Sequence, residues 1–374
     1  MLSRKLMALL LFLLTITLPA AQLPAAEAEP AGEEGLKLVP YHIGHMVFNM
    51  PESMSLHHYA VQLPWTFQPG GAQDIILHEE PFDDPANGEK IFLENFQKRF
   101  ERRRMTSLDQ RKEEALGDAF ESPAKMLSFI NFDDDRPTKD GTPPKPYSME
   151  LYLDLKFPLG YLAFSGGFSR RDFDVPIDEP LKDAKIKEFL EAVKSYLATY
   201  RWIDSRAAIN SSTFKTRFGE IDTASSPANP GFVVSFQDER KIASFIISSS
   251  PIFAVRKIDR VEDVLLSGIY NYSQEMMTAC DCLPFVAFRP RAVAGRDGYE
   301  LVTVVRPGPA NTGGDVPSID FEWVEDNRRN TKVPPLRMSM WTPSRTDQDP
   351  LKNYPELLSI WNTVLNNAQN AAAQ

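Results

Sequence analysis

An α+β fold made of two similar halves is what this sequence predicts, and three observations predict it. Runs that alternate apolar and polar residues mark strands with one buried face; Met149, Leu151, Leu153 and Leu155 between Glu150, Tyr152, Asp154 and Lys156 are the clearest. Helical stretches separate groups of such strands, which suits antiparallel sheets with helices on one face. The order of short strands, helix, three or four strands and closing helix then runs twice. First helices begin near Gly88 and Val261 and closing helices near Leu181 and Tyr354, both pairs offset by about 173 residues. Each half is expected to be a mainly antiparallel sheet with two helices.

The chain opens with an export leader. Arg4 and Lys5 precede Leu6–Leu18, an uncharged apolar run of 13 residues, too short to span a bilayer comfortably. Ala26-Glu27-Ala28 offers the small-x-small pattern of a cleavage site, so cleavage is expected between Ala28 and Glu29. No second apolar span follows, which points to the periplasm and to no stable membrane insertion after processing. Residues 29–40 read as a tether, 41–204 as the N-terminal α+β domain and 205–374 as the C-terminal one. At 374 residues, each half is long enough to bury its own core.

In the first half, His42–Met50 reads as one strand ending at Pro51, followed by short strands at Tyr59–Leu63 and Asp74–His78. Phe92, Phe96 and Phe100, four apart, define one face of a helix over Gly88–Arg104. Strands follow at Met126–Phe132, Met149–Lys156 and, after the Pro158-Leu159-Gly160 turn, Tyr161–Phe168. The polar, Pro-rich stretch Asp133–Tyr147 is a long loop. Ile186, Phe189, Leu190, Val193, Tyr196, Leu197 and Tyr200 form an apolar stripe along a helix over Leu181–Tyr200.

The second half begins with strands at Phe214–Ile221, Phe232–Phe236 and Ala243–Ser248 and a helix at Val261–Met277. The stretch Arg289–Thr342 then carries Gly295-Arg296-Asp297-Gly298, a turn signal between Ala292–Ala294 and Tyr299–Val305 that reads as a hairpin. Ile319, Phe321 and Trp323 alternate with Asp320 and Glu322, and Leu336, Met338 and Met340 repeat the pattern. A last helix over Pro355–Asn370 turns Leu358, Trp361 and Leu365 inward.

This ordered set — the Ala-Gly-x-x-Gly-Tyr-Glu hairpin, Phe-Glu-Trp, a strand flanked by Pro334-Pro335, and a closing Trp helix — resembles the immunity proteins that protect bacteria against type VI secretion lipase effectors of the fourth lipase family. The resemblance is clearest from Phe214 to Asn366 and covers His42 to Asp204 more weakly. It implies a two-domain clamp that binds a cognate secreted lipase, an α/β-hydrolase, and blocks its active-site cleft or fixes its cap. It implies no enzyme activity and no cofactor.

The residues themselves offer little chemistry. A net charge of -10 repels nucleic acid and anionic membrane surfaces. All five histidines, His42, His45, His57, His58 and His78, lie in the first half without a metal-binding spacing. Ser165 in Phe164-Ser165-Gly166-Gly167 only imitates a nucleophile elbow, which requires Gly on both sides of the dipeptide-spaced Ser. Asp133-Asp134-Asp135 with Asp140-Gly141 imitates a calcium loop, but Pro144 stands where the twelfth, acidic ligand belongs. Cys280 and Cys282, two apart, suit a pair of thiols better than a strained bridge. With 51 acidic residues, some carboxylate pair suited to hydrolysis always exists, so a periplasmic hydrolase and an envelope assembly protein stay open as alternatives. Exposed loops on a rigid scaffold are the expected partner-binding surfaces. Their candidate residues are Asp133, Asp134, Asp135, Arg136 and Lys139 in one loop, Arg296 and Asp297 in the Gly295–Gly298 turn, and Asn311 and Asp315 in the Gly/Pro loop Pro307–Asp315.

Overall fold

The computed structural model describes residues 37–67, 71–104, 109–113, 120, 123–132, 146–169, 179–202, 213–226, 229–250, 287–305, 318–326, 334–342 and 350–370. Candidate residues Ala28, Glu29, Asp133, Asp134, Asp135, Arg136, Lys139, Asn311 and Asp315, the cysteines and the Val261–Met277 helix lie outside them.

The first half starts with a hairpin, β1 (Leu38–Ile43) and β2 (Met46–Pro51), where one strand was expected. Gly44 causes the break: it adopts φ +59, a left-handed conformation that a side chain resists, and a Cβ there would lie 3.0 Å from the Phe214 ring. Long strands β3 (Met54–Phe67) and β4 (Gly71–Pro81) follow. Asp84 accepts from Ala86 N at 3.0 Å and starts the turn leading into α1 (Gly88–Arg104). Next come β5 (Asp109–Glu113), β6 (Ala124–Phe132), β7 (Pro146–Phe157), β8 (Gly160–Ser169), α2 (Glu179–Leu197) and β9 (Tyr200–Trp202).

The second half retraces this path. A hairpin of β10 (Thr213–Lys215) and β11 (Gly219–Asp222), again in place of one expected strand, precedes β12 (Gly231–Asp238) and β13 (Ser244–Ser249). Then come β14 (Ala287–Pro290), β15 (Gly298–Val305), β16 (Ser318–Glu325), β17 (Leu336–Trp341), α3 (Tyr354–Asn367) and β18 (Gln369–Asn370). The expected hairpin at Gly295 is present. Its first strand is Ala287–Pro290, and Ala294 (φ 52) and Gly295 (φ 75) make the turn.

The strand order makes the repeat explicit. One 12-stranded sheet runs β14-β15-β16-β17-β13-β12-β3-β4-β8-β7-β6-β5, so each half contributes six strands in the same internal order, outward from the β3–β12 pair. All pairings are antiparallel. The halves also exchange strands. β9 of the first half joins β10-β11 of the second, and β18 of the second joins β1-β2 of the first. An ion pair between Arg201 and Glu220, with Lys215 at 2.8 Å on the other carboxylate oxygen, ties the first exchange.

Helices cover both faces of the first-half sheet, not one. Alternate residues of β7 explain why: Leu151 and Leu153 face α2 in the main core, while Tyr152 and Asp154 face α1, where Arg99 pairs with Asp154 at 2.5 Å. Phe92 and Phe96 of α1 are buried as the four-residue spacing required. In the second half Trp361 of α3, fully buried, packs on Phe245 and Phe321 with ring centroids 5.5 and 5.6 Å apart.

Candidate functional site

The hairpin expected to display Arg296 and Asp297 is anchored at one residue and open at the next. Arg296 bridges Val293 through the backbone, and its Nη1 donates to Glu325 Oε2 at 2.9 Å. That carboxylate oxygen also accepts from Leu336 N at 2.8 Å, so Arg296 is bound to two neighbouring strands. Asp297 is exposed, with its carbonyl taken by Asp326 N at 2.8 Å. Behind the hairpin, Glu300 has no exposed surface and accepts from Arg289 Nε (2.6 Å), Arg291 Nη1 (2.7 Å) and Trp361 Nε1 (2.6 Å). Burial works to raise its pKa, but Arg289, Trp361 and Arg291 hold it below the usual carboxylate value. This cluster fixes α3 to the hairpin. It was invisible in the sequence because Glu300 lies 61 residues from Trp361.

Arg296 also lines a cavity of about 50 Å³. His45 and Met46 of the first-half hairpin form one wall, and Phe214 and Phe232 another. Asn229 and Pro230, Ser249, Pro334 and Leu336 close it. The walls are mainly apolar, with Arg296 as the charged residue and His45, Asn229 and Ser249 as the polar ones. Burial first, and Arg296 second, lower the His45 pKa, so the ring is neutral at neutral pH. Ser249 Oγ donates to Pro334 O at 3.1 Å.

Its counterpart on the other half contains Glu79, almost wholly buried on β4. Glu79 accepts from Tyr200 OH at 2.6 Å, from Phe218 N at 3.0 Å and from the Thr216 hydroxyl. Burial raises its pKa against these hydrogen bonds. Sequence reasoning passed over Glu79 because an acid amid His78, Glu79 and Glu80 reads as a solvated strand end.

The other candidates do not form a reaction centre. His42, His57 and His58 are exposed. The His58 and His78 rings lie 5.2 Å apart; partial desolvation of the half-open His58 and burial of His78 lower both pKa values. Ser165 sits within β8 opposite Ile76 and Tyr152, at no strand-to-helix elbow. Among the described residues, no group of three His, Cys, Asp or Glu side chains is placed to hold a metal, and no helix is long and apolar enough to cross a membrane.

No known family profile matches the chain, and no curated protein matches it in sequence. Two solved structures match its fold. One is the apo structure of the immunity protein TplEi of the T6SS from Pseudomonas aeruginosa, with TM-score 0.51 and 13% identity, covering 89% of this chain and 97% of that one. The second is TplEi complexed with an "L" peptide, with TM-score 0.50 and 13% identity, covering 90% and 98%. The resemblance drawn from the ordered motifs and the fold therefore both lead to immunity proteins of the T6SS. The chain has the α+β fold, with its mainly antiparallel sheet, of a T6SS immunity protein.

Proposed function

We propose that this chain is a periplasmic immunity protein that binds a secreted lipase or phospholipase effector and blocks its active-site cleft or cap. The likeness to TplEi over 89% of this chain carries the reading, because it spans both halves and not one module. Inhibition of this kind needs complementary surfaces with a buried apolar centre, and no catalytic group on the inhibitor. The leader expected at residues 1–28 would deliver the chain to the compartment where such an effector arrives. The two halves, paired through β3 and β12, would act as a clamp, with Asp133–Lys139, the Arg296–Asp297 turn and the loop at 307–315 at the contact.

Competition between cells tests the proposal. A strain lacking this chain is expected to be killed by sister cells that deliver the cognate lipase effector. Restoring the full chain protects the strain, whereas a version lacking residues 1–28 does not. Equal survival with and without the chain contradicts the proposal.

A further inference from the structure

The two halves place corresponding residues at corresponding points, with one substitution that leaves a hole. β3 pairs Val61 with Leu77, and β12 pairs Val234 with Ile247, all four buried in the core. Two residues beyond Leu77 and Ile247 come Glu79 and Ser249. They lie opposite corresponding leucines, Leu162 on β8 and Leu336 on β17. Each lies at the hairpin of the other half: Glu79 accepts from Phe218 N in the β10–β11 turn, and Ser249 lines the cavity with His45 of the β1–β2 turn. Ser249 is therefore the counterpart of Glu79.

In the first half the chain supplies its own carboxylate at this point. Glu79 fills the space and is held by Tyr200, Thr216 and the Phe218 amide. In the second half the shorter Ser249 turns its hydroxyl to Pro334, and the cavity of about 50 Å³ takes the carboxylate's place. That volume accommodates a carboxylate with its last methylene, or roughly three to five waters. Its one charged lining residue is Arg296. The Arg296 guanidinium, a fork of five N–H donors of which Glu325 engages the Nη1 arm, shares the lining with the His45 ring, whose pKa burial and then Arg296 lower and a hydrogen bond to the Thr213 backbone raises.

We propose that this cavity is a socket for a carboxylate side chain of a bound protein. The socket takes from the partner the group that Glu79 supplies internally in the other half. The partner is the effector, a step that rests on the function proposed above. The apolar walls of Met46, Phe214 and Phe232 select a Glu, whose methylenes they contact, over a bare inorganic anion.

Two variants of the full mature chain, Ser249→Glu and Ser249→Leu, fill the cavity with and without charge. The first readout is the His45 ring signal in NMR during titration with propionate, which needs no effector. The wild type is expected to show a saturable His45 shift and a raised His45 pKa. Ser249→Glu should show the raised pKa without added propionate, and Ser249→Leu should show neither. A wild type whose His45 does not respond, or a Ser249→Leu variant that responds equally, overturns the socket. The second readout is affinity for the effector, in which both variants should bind about tenfold or more weakly. Undiminished effector binding by both, with propionate still bound by the wild type, overturns the effector as the source of the carboxylate. Failure of the wild type to bind the effector refutes the immunity reading itself and leaves the propionate result legible.

Discussion

Asp320 shows how one residue carries the balance between burial and charge. It shares a face of β16 with Glu322, and burial first, then Glu322, push its pKa from 3.8 to about 6. The folded chain thus holds a proton that the unfolded chain has released, so stability falls as pH rises from about 4 to about 6. Asp74 and Asp154, also raised by burial to about 6, act in the same direction. Asp320→Asn removes that loss, and denaturant melts at pH 7 should show a gain on the order of 1–3 kcal/mol that shrinks towards pH 4. Glu79 is the opposite case, since Tyr200, Thr216 and the Phe218 amide all depend on it. Glu79→Ala leaves those donors without their acceptor in the core and should cost about 2–4 kcal/mol in the same melts. Residues of this kind were not legible in the sequence. Their roles are set by contacts more than a hundred positions away, such as the 121 between Glu79 and Tyr200, and periodicity reports only local geometry.

Elements were more legible, because burial of one face imposes a period. The Phe92-Phe96-Phe100 spacing placed α1 at the bounds the structure gives, and the Ile319-Phe321-Trp323 alternation placed β16. Two hairpins were missed for one shared reason. Each turn is only two residues long, Gly44–His45 and Arg217–Phe218, too short to stand out within the run of strand residues around it. Gly44 was the available signal, and its φ of +59 is the conformation that glycine provides. α2 stops at Leu197 and α3 at Asn367, short of the expected ends at Tyr200 and Asn370, because Tyr200 and Gln369 pair as strands with the other half. α3 depends on Trp361, which is fully buried between Phe245 and Phe321 and donates to Glu300. Trp361→Ala should therefore lower stability by about 3–5 kcal/mol, read as an earlier denaturant midpoint. Trp361→Phe keeps most of the packing but strands one Glu300 acceptor, and should fall between the two.

At the scale of the whole molecule, the repeat legible in the order of elements is present in the strand order of the sheet. Its consequence was not legible: the halves meet edge to edge at β3 and β12 and exchange β9 and β18. We propose residues 203–212 as the junction between halves, and a protease site placed there tests how the halves cohere. Cleavage should give two fragments that co-elute without denaturant, since Tyr59 OH to Lys215 O (2.9 Å) and the Glu79 cluster also cross the junction. Separation on cleavage would mean that the pairing across β3 and β12 is weak. The central claim, that this chain neutralises a lipase by binding it, has a direct test. Purified residues 29–374 are titrated into the cognate lipase while ester hydrolysis is followed. The account predicts loss of hydrolysis complete near one equivalent, with the two proteins co-eluting. Hydrolysis unchanged at excess, with no complex, would contradict it.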